Sequence, residues 1–196
     1  MPADDLDVLA RRLSNYKAVV FGVDRGCPHT EALKRTWGAR IGTDIGYVPC
    51  DRDDTSAAIC EKAGISTTPT LVFGGVAFAG NVPPSRISEL LDMSDAIGAD
   101  LSAKHAVLFV RPRCTWSTRQ RTALGPHVDR IEVVDCSTNE SRCDADGVIA
   151  VPAWRIDASP LIYGFRPLPS LQQLVSAGAA YRSAAAVASD PRTARR

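Results

Sequence analysis

A chain of 196 residues with 45% hydrophobic and 23% charged residues has enough apolar side chain to bury one large core or two small ones. Its formal net charge of +1 excludes a whole-surface attraction to nucleic acid or acidic membranes. No run of about 18 apolar residues is present, so no membrane span is predicted. Asp4, Asp5 and Asp7 stand where an export signal needs basic and then apolar residues, so no signal peptide is read and the chain is expected to be soluble.

In chain order, Leu6, Leu9, Ala10 and Leu13 recur at helical spacing, with acidic residues leading and Arg11 and Arg12 trailing, which suits a helix dipole over 4–14. The apolar run 17–23 predicts a strand. Arg25-Gly26-Cys27-Pro28-His29-Thr30 follows as a turn, and a helix is predicted over 28–40. Cys27 therefore falls at a helix N-terminus, where orphan N–H groups and the positive end of the dipole favour thiolate over thiol. Ile45 to Pro49 reads as a second strand ending at Cys50. Asp51 to Asp54 reads as a turn, and Ser56 to Ala63 as a short helix stopped by Gly64. After Pro69, Thr70 to Phe73 and Val76 to Ala79 flank Gly74-Gly75 and predict a hairpin. A last helix is placed at 84–92, led by Pro83 and Pro84, with a short junction at 93–98.

The same order then repeats. Val19, Val20 and Phe21 match Val107, Leu108 and Phe109 at an offset of 88, as Leu9 and Leu13 match Ile97 and Leu101. Cys27 and Cys114 lie 87 apart, Cys50 and Cys136 lie 86 apart, and Cys60 and Cys143 lie 83 apart. Gly64 and Pro69 match Gly147 and Pro152, and Gly80 and Pro83 match Gly164 and Pro167. The second copy runs from about 94 to 177, and Pro126 splits off the end of its cysteine helix. Residues 1–98 carry 10 Lys+Arg against 13 Asp+Glu, and residues 99–196 carry 13 against 9. Part of the second excess lies in an Ala-rich, basic extension at 178–196. A helix at 179–188 is expected there, and the extension is a candidate contact for an assembly partner.

Helix, strand, Cys turn, helix, strand, helix, Pro-led hairpin and helix is an order that resembles the thioredoxin superfamily. More closely, it resembles the thioredoxin-like domains attached to vitamin K epoxide reductase homologues. Cys27-Pro28-His29, Cys50, Cys60 and Pro69-Thr70 fall in that family's order. The resemblance implies an α/β chain of two tandem thioredoxin-fold domains, at 1–93 and 94–177, followed by the extension. It also implies structural disulfides Cys50–Cys60 and Cys136–Cys143, each joining a strand end to the next helix and restricting the unfolded chain by roughly 2–3 kcal/mol. Four reduced thiols are the alternative. Pro69 and Pro152 correspond to the family's cis-prolines, so the backbone of Thr68 or Val151 would pair with an extended substrate. Thr70 would help shape the same groove.

The departure from the family lies at the fourth motif position, which holds a resolving cysteine there and Thr30 or Ser117 here. A single thiol can attack a disulfide, but it cannot resolve the mixed disulfide without a partner. Arg25, His29 and the helix start are all expected to lower the Cys27 pKa. Cys114 has Arg113 beside it, and Trp116 is expected to shield its thiol or stack on a partner. Six cysteines point to maturation in an oxidising environment, to chemical use of thiols, or to both. With His29, His105 and His127 the only histidines, and no Cys-x-x-Cys, neither a metal nor a cofactor is expected.

The leading expectation is a single-thiol thiol–disulfide oxidoreductase-like protein acting through Cys27 on protein or small-molecule thiols and disulfides. Its second domain would bind or scaffold. The rival is a redox-inactive thioredoxin-fold component of a larger assembly. No phosphate-binding glycine loop, Ser/His/Asp arrangement or basic-aromatic nucleic-acid surface is read, so nucleic acid is not an expected partner.

Overall fold

The computed structural model describes residues 3–176. The 178–196 extension and its expected helix lie outside the described residues. The chain divides into two compact units, one ending at Ser94 and the other starting at Asp95. Among the described residues no helix is long and apolar enough to cross a membrane.

The first unit opens with helix α1 (Ala3–Asn15), whose Leu9, Ala10 and Leu13 are buried along one face. Strand β1 (Val19–Gly22) is nearly all apolar because it is central, covered on both faces of the sheet. Helix α2 (Pro28–Trp37) begins at Pro28, where a missing N–H costs nothing, and stops at Gly38, whose φ is +57°. It is thus shorter than the predicted 28–40. A kinked turn, α3 (Arg40–Thr43), leads into β2 (Gly46–Pro49), and α4 (Asp54–Lys62) follows, capped by the Asp53 carboxylate. The hairpin β3 (Thr70–Phe73) and β4 (Val76–Ala79) completes a sheet of order β2-β1-β3-β4. β1 pairs parallel to β2 and antiparallel to β3.

The second unit repeats this plan with β5 (Val107–Val110), α6 (Thr115–Leu124), a 3-10 turn (Gly125–Arg130) beginning at the predicted Pro126 break, β6 (Glu132–Asp135), α7 (Glu140–Ala145), β7 (Ala153–Arg155) and β8 (Ile162–Tyr163). Helix is described again over 168–176. The sheet order β6-β5-β7-β8 matches the first. Each unit is thus an α/β thioredoxin fold. The registers coincide too: Phe21 faces Thr70, and Phe109 faces Ala153, so each strand after the proline begins at the same point of its central strand. All four strand residues of β5 are buried.

Two further elements differ from the sequence reading. The chain from 84 to 103 is one helix, α5 (Pro84–Ala103), with no junction at 93–98. Ile87, Leu91, Ser94, Ile97 and Leu101 are all buried and continue the helical spacing through the supposed break. One interior glycine costs only about 1 kcal/mol relative to alanine, and a Cβ on Gly98 would overlap the buried His127 ring. Burial holds that ring's pKa below the usual histidine value, and its Nε2 lies 3.3 Å from the Asp95 carboxylate. The second hairpin also lacks the tight Gly74-Gly75 turn. Its strands are shorter and are joined by residues 156–161, where Asp157 takes φ +54°.

Leu108, in the centre of β5, is fully buried, whereas Ile149 is 88% exposed. Leu108→Ala is expected to lower the unfolding free energy by about 2–5 kcal/mol. Ile149→Ala is expected to change it by no more than about 0.5 kcal/mol. Urea denaturation followed by far-ultraviolet circular dichroism measures both.

Candidate functional site

The site of the first unit forms where β1 ends and α2 begins. Gly22, the last residue of β1, sits directly beneath Thr30 and Tyr47: a Cβ there would come within 2.9 Å of both side chains. Gly26 then turns the chain at φ +70°, and Cys27 caps α2 in extended conformation, its carbonyl accepting the Glu31 N–H at 3.1 Å. The peptide between Thr68 and Pro69 is cis. The Phe21–Thr70 register places it beside this turn, and the Cys27 Sγ lies 4.0 Å from the Thr68 carbonyl oxygen. The Thr70 hydroxyl turns inward and donates to the Thr67 carbonyl at 2.6 Å.

The Cys27 thiol is part-exposed, and its pKa is held below the usual thiol value. The first cause is the Thr30 hydroxyl, followed by the Thr30 and His29 backbone N–H groups; partial burial and Glu31 act against them. The charges of Arg25 and His29, expected to supply this effect, are not among the causes. Both side chains are exposed. Thr30 itself is fully buried, and its oxygen also accepts the Val23 N–H at 3.5 Å. Thr30 is therefore an anchored hydroxyl that favours the thiolate.

Behind the turn lies a polar network that sequence reasoning does not reach. Asp51, immediately after Cys50, accepts the Asp24 N–H at 2.7 Å and the Arg25 N–H at 3.1 Å, and so fixes the approach to Cys27. The Asp24 carboxylate binds Lys34, Arg52 and the Tyr47 hydroxyl, each at 2.9 Å. Hydrogen bonding to Lys34, with help from Arg52 and Tyr47, lowers the Asp24 pKa to about 2 against its partial burial. Lys34 also stands 4.5 Å above the Tyr47 ring. Asp24 lies 23 residues from Tyr47 and 27 from Asp51, and the parallel β1–β2 pairing brings them together.

The second unit repeats the frame with different side chains. Cys114 caps α6, and its Sγ lies 3.6 Å from the carbonyl oxygen of Val151, which precedes cis-Pro152. Its pKa is also lowered, first by the Ser117 hydroxyl, with the Ser117 and Trp116 N–H groups helping and burial opposing. Ser117 is buried and accepts the Arg111 N–H at 3.3 Å. Trp116 is 54% exposed and stands near Phe165, with ring centroids 6.2 Å apart. Disulfides join Cys50 to Cys60 and Cys136 to Cys143, which leaves Cys27 and Cys114 as the free thiols.

No family model matches the chain. Comparison with curated proteins finds no match either. Among solved structures, the alkylhydroperoxide reductase AhpF of Enterococcus faecalis is similar at 16% identity and a TM-score of 0.36, over 90% of this chain and 98% of that one. A protein disulfide oxidoreductase from Aeropyrum pernix K1 is similar at 18% identity and a TM-score of 0.35, over 90% of this chain and 93% of that one. Buckwheat glutaredoxin in complex with glutathione is similar at 20% identity and a TM-score of 0.26, over 41% of this chain and 79% of that one. None of these likenesses is strong enough for a property to transfer to this chain.

Two measurements test the site. Thr30→Val removes the hydroxyl and is expected to move the pH midpoint of Cys27 alkylation upward, with roughly a tenfold loss of rate at neutral pH for each unit moved. The folded pKa of Asp24 lies below that of an unfolded aspartate. The stability it confers is therefore complete above about pH 4 and is lost as pH falls toward 2. Asp24→Asn is expected to flatten that acid limb by about 1 kcal/mol, because Arg52 is largely exposed and Asp24 itself is 28% exposed. Denaturation midpoints measured across that pH range check it.

Proposed function

We propose that this chain is a thiol–disulfide oxidoreductase-like protein of single-thiol type, acting through Cys27. The observation that carries this reading is the Cys27 sulfur at the start of α2, facing the Thr68 carbonyl beside cis-Pro69 with the Thr30 hydroxyl favouring its thiolate. The finer likeness to domains attached to vitamin K epoxide reductase homologues rests on the order of Cys27-Pro28-His29, Cys50, Cys60 and Pro69-Thr70.

The Cys27 thiolate attacks one sulfur of a protein or small-molecule disulfide. A new S–S bond forms to Cys27, the substrate's S–S bond breaks, and the departing thiolate takes a proton from water. Thr30 offers no sulfur, so Cys27 is released when a thiolate from a second molecule attacks the mixed disulfide. The Thr68 carbonyl offers a main-chain partner to an extended substrate. In the second unit the same frame holds Cys114 beside Arg113, Trp116 and Arg119, and this favours a binding role for that copy.

Incubation with oxidised glutathione, followed by intact-mass measurement, is expected to give one adduct at Cys27 that a reducing thiol removes. Cys27→Ser is expected to abolish the adduct, and Cys114→Ser to preserve it. A Cys27 that resists both glutathione disulfide and alkylation overturns the reading.

A further inference from the structure

The second unit differs most from the first in the charge and shape of the surface around its thiol. Between Asp100 and Asp129 the sequence contains no acidic residue, yet it places Arg111, Arg113, Arg119 and Arg121 there. The corresponding stretch of the first copy contains Asp24 and Glu31. Arg111, Arg113 and Arg119 are all exposed, and none makes an ion pair within 4 Å among the described residues. Asp135, whose carboxylate feels the charges of Arg121 and Arg111, is already engaged. Its carboxylate accepts the Ser137 N–H and hydroxyl at 2.8 and 2.7 Å, and Arg121 and Arg111 add a favourable field.

The same face is apolar and built. Trp116 and Ile149 are exposed large hydrophobics, at 54% and 88%. The contact between Cys114 and Val151 holds the start of α6 against the 148–151 segment. Arg111 borders a cleft of about 110 Å³ that Cys136 and residues 148–151 also line. On the other side, the Arg119 guanidinium lies 4.7 Å from the Phe165 ring centre and 5.4 Å from that of Trp116. Gln120 holds Phe165 in place. It is fully buried, donates to the Arg166 carbonyl at 2.9 Å, and accepts the Arg166 N–H at 2.7 Å.

We propose that this face of the second unit docks an acidic, partly apolar polypeptide segment in extended conformation, without covalent chemistry. The inference rests on the binding role given above to the second copy and names the partner's chemistry. Residues 149–151 belong to no strand, so their backbone is placed to pair with an extended chain. Along such a chain, side chains alternate. Apolar ones then meet Trp116 and Ile149 while carboxylates meet Arg111, Arg113 and Arg119. A polypeptide fits better than a single-stranded nucleic acid, because the Trp116 ring already carries Arg119 and the cleft is bounded by backbone and small apolar side chains.

The probe is a short, cysteine-free synthetic peptide alternating glutamate and leucine, titrated into the full chain. Trp37 and Trp154 are buried, so a change in indole fluorescence reports on exposed Trp116. Saturable binding that weakens as salt rises is expected. Arg113→Glu combined with Arg119→Glu is expected to weaken it at least about tenfold, or roughly 1.4 kcal/mol, whereas Arg113→Lys with Arg119→Lys retains it. Equal binding of a lysine–leucine peptide, preference for a single-stranded oligonucleotide, or no binding at all overturns the proposal. The probe contains no sulfur, so an inert Cys27 does not affect this result, and failure of the peptide to bind leaves disulfide exchange at Cys27 untouched.

Discussion

The antiparallel pairing of the central strand with the strand that follows the cis-proline sets the geometry of both sites. In the first unit Phe21 faces Thr70, which puts Pro69 one step beyond the paired residues, at the end of β1 where the chain turns into α2. The thiol at that helix start then has a carbonyl opposite it, whatever side chains surround the pair. Phe109 facing Ala153 does the same for Pro152 and Cys114. A one-residue slip in either ladder would invert every side chain of the strand and carry the proline away from the turn. The fully buried β5 and mostly buried β1 resist such a slip, because each strand contributes to the core on both faces.

Within that frame, the hydroxyl at the fourth motif position changes what the cysteine can do. A second thiol there would close on the first and store two electrons. Thr30 and Ser117 instead sit buried and accept a backbone N–H, from Val23 and Arg111 respectively, while favouring the neighbouring thiolate. Each hydroxyl thus favours its neighbouring thiolate and offers no second sulfur. Stabilisation comes from hydrogen bonding within the first turn of the helix, which salt screens less than it screens exposed charges.

Much of this is legible in the sequence, since a repeat with matched cysteines, prolines and glycines constrains two copies at once. The positions of Cys27, Thr30 and Pro69 relative to β1 follow from local signals: an apolar run, a Pro at a helix start, and a Pro-led hairpin. The Asp24 network is not legible. Asp24, Lys34, Tyr47, Asp51 and Arg52 each look like an ordinary surface residue, and Asp24 meets Tyr47, Asp51 and Arg52 because β2 pairs in parallel beside β1. Gln120 is hidden for the same reason, as its partner Arg166 lies 46 residues away. The continuity of α5 escapes a local reading because Ser, Asp and Gly at 94, 95 and 98 look like a linker. The buried spacing from Ile87 to Leu101 outweighs their weak propensities.

The two copies also show how one backbone can be given opposite electrostatic characters by a few side chains. In the first, Asp24 gathers Lys34 and Arg52, and Asp51 ties down the loop, so nearby cations are neutralised within the unit. In the second, no acidic residue lies between Asp100 and Asp129, and the arginines around the thiol face solvent. Exposed cations beside an exposed indole are costly to leave unmatched only in the sense that they attract a complement; on their own they add little stability. Selective pressure on folding therefore gives no reason for Arg111, Arg113, Arg119 and Trp116 to share one face, whereas a partner carrying carboxylates and apolar side chains does.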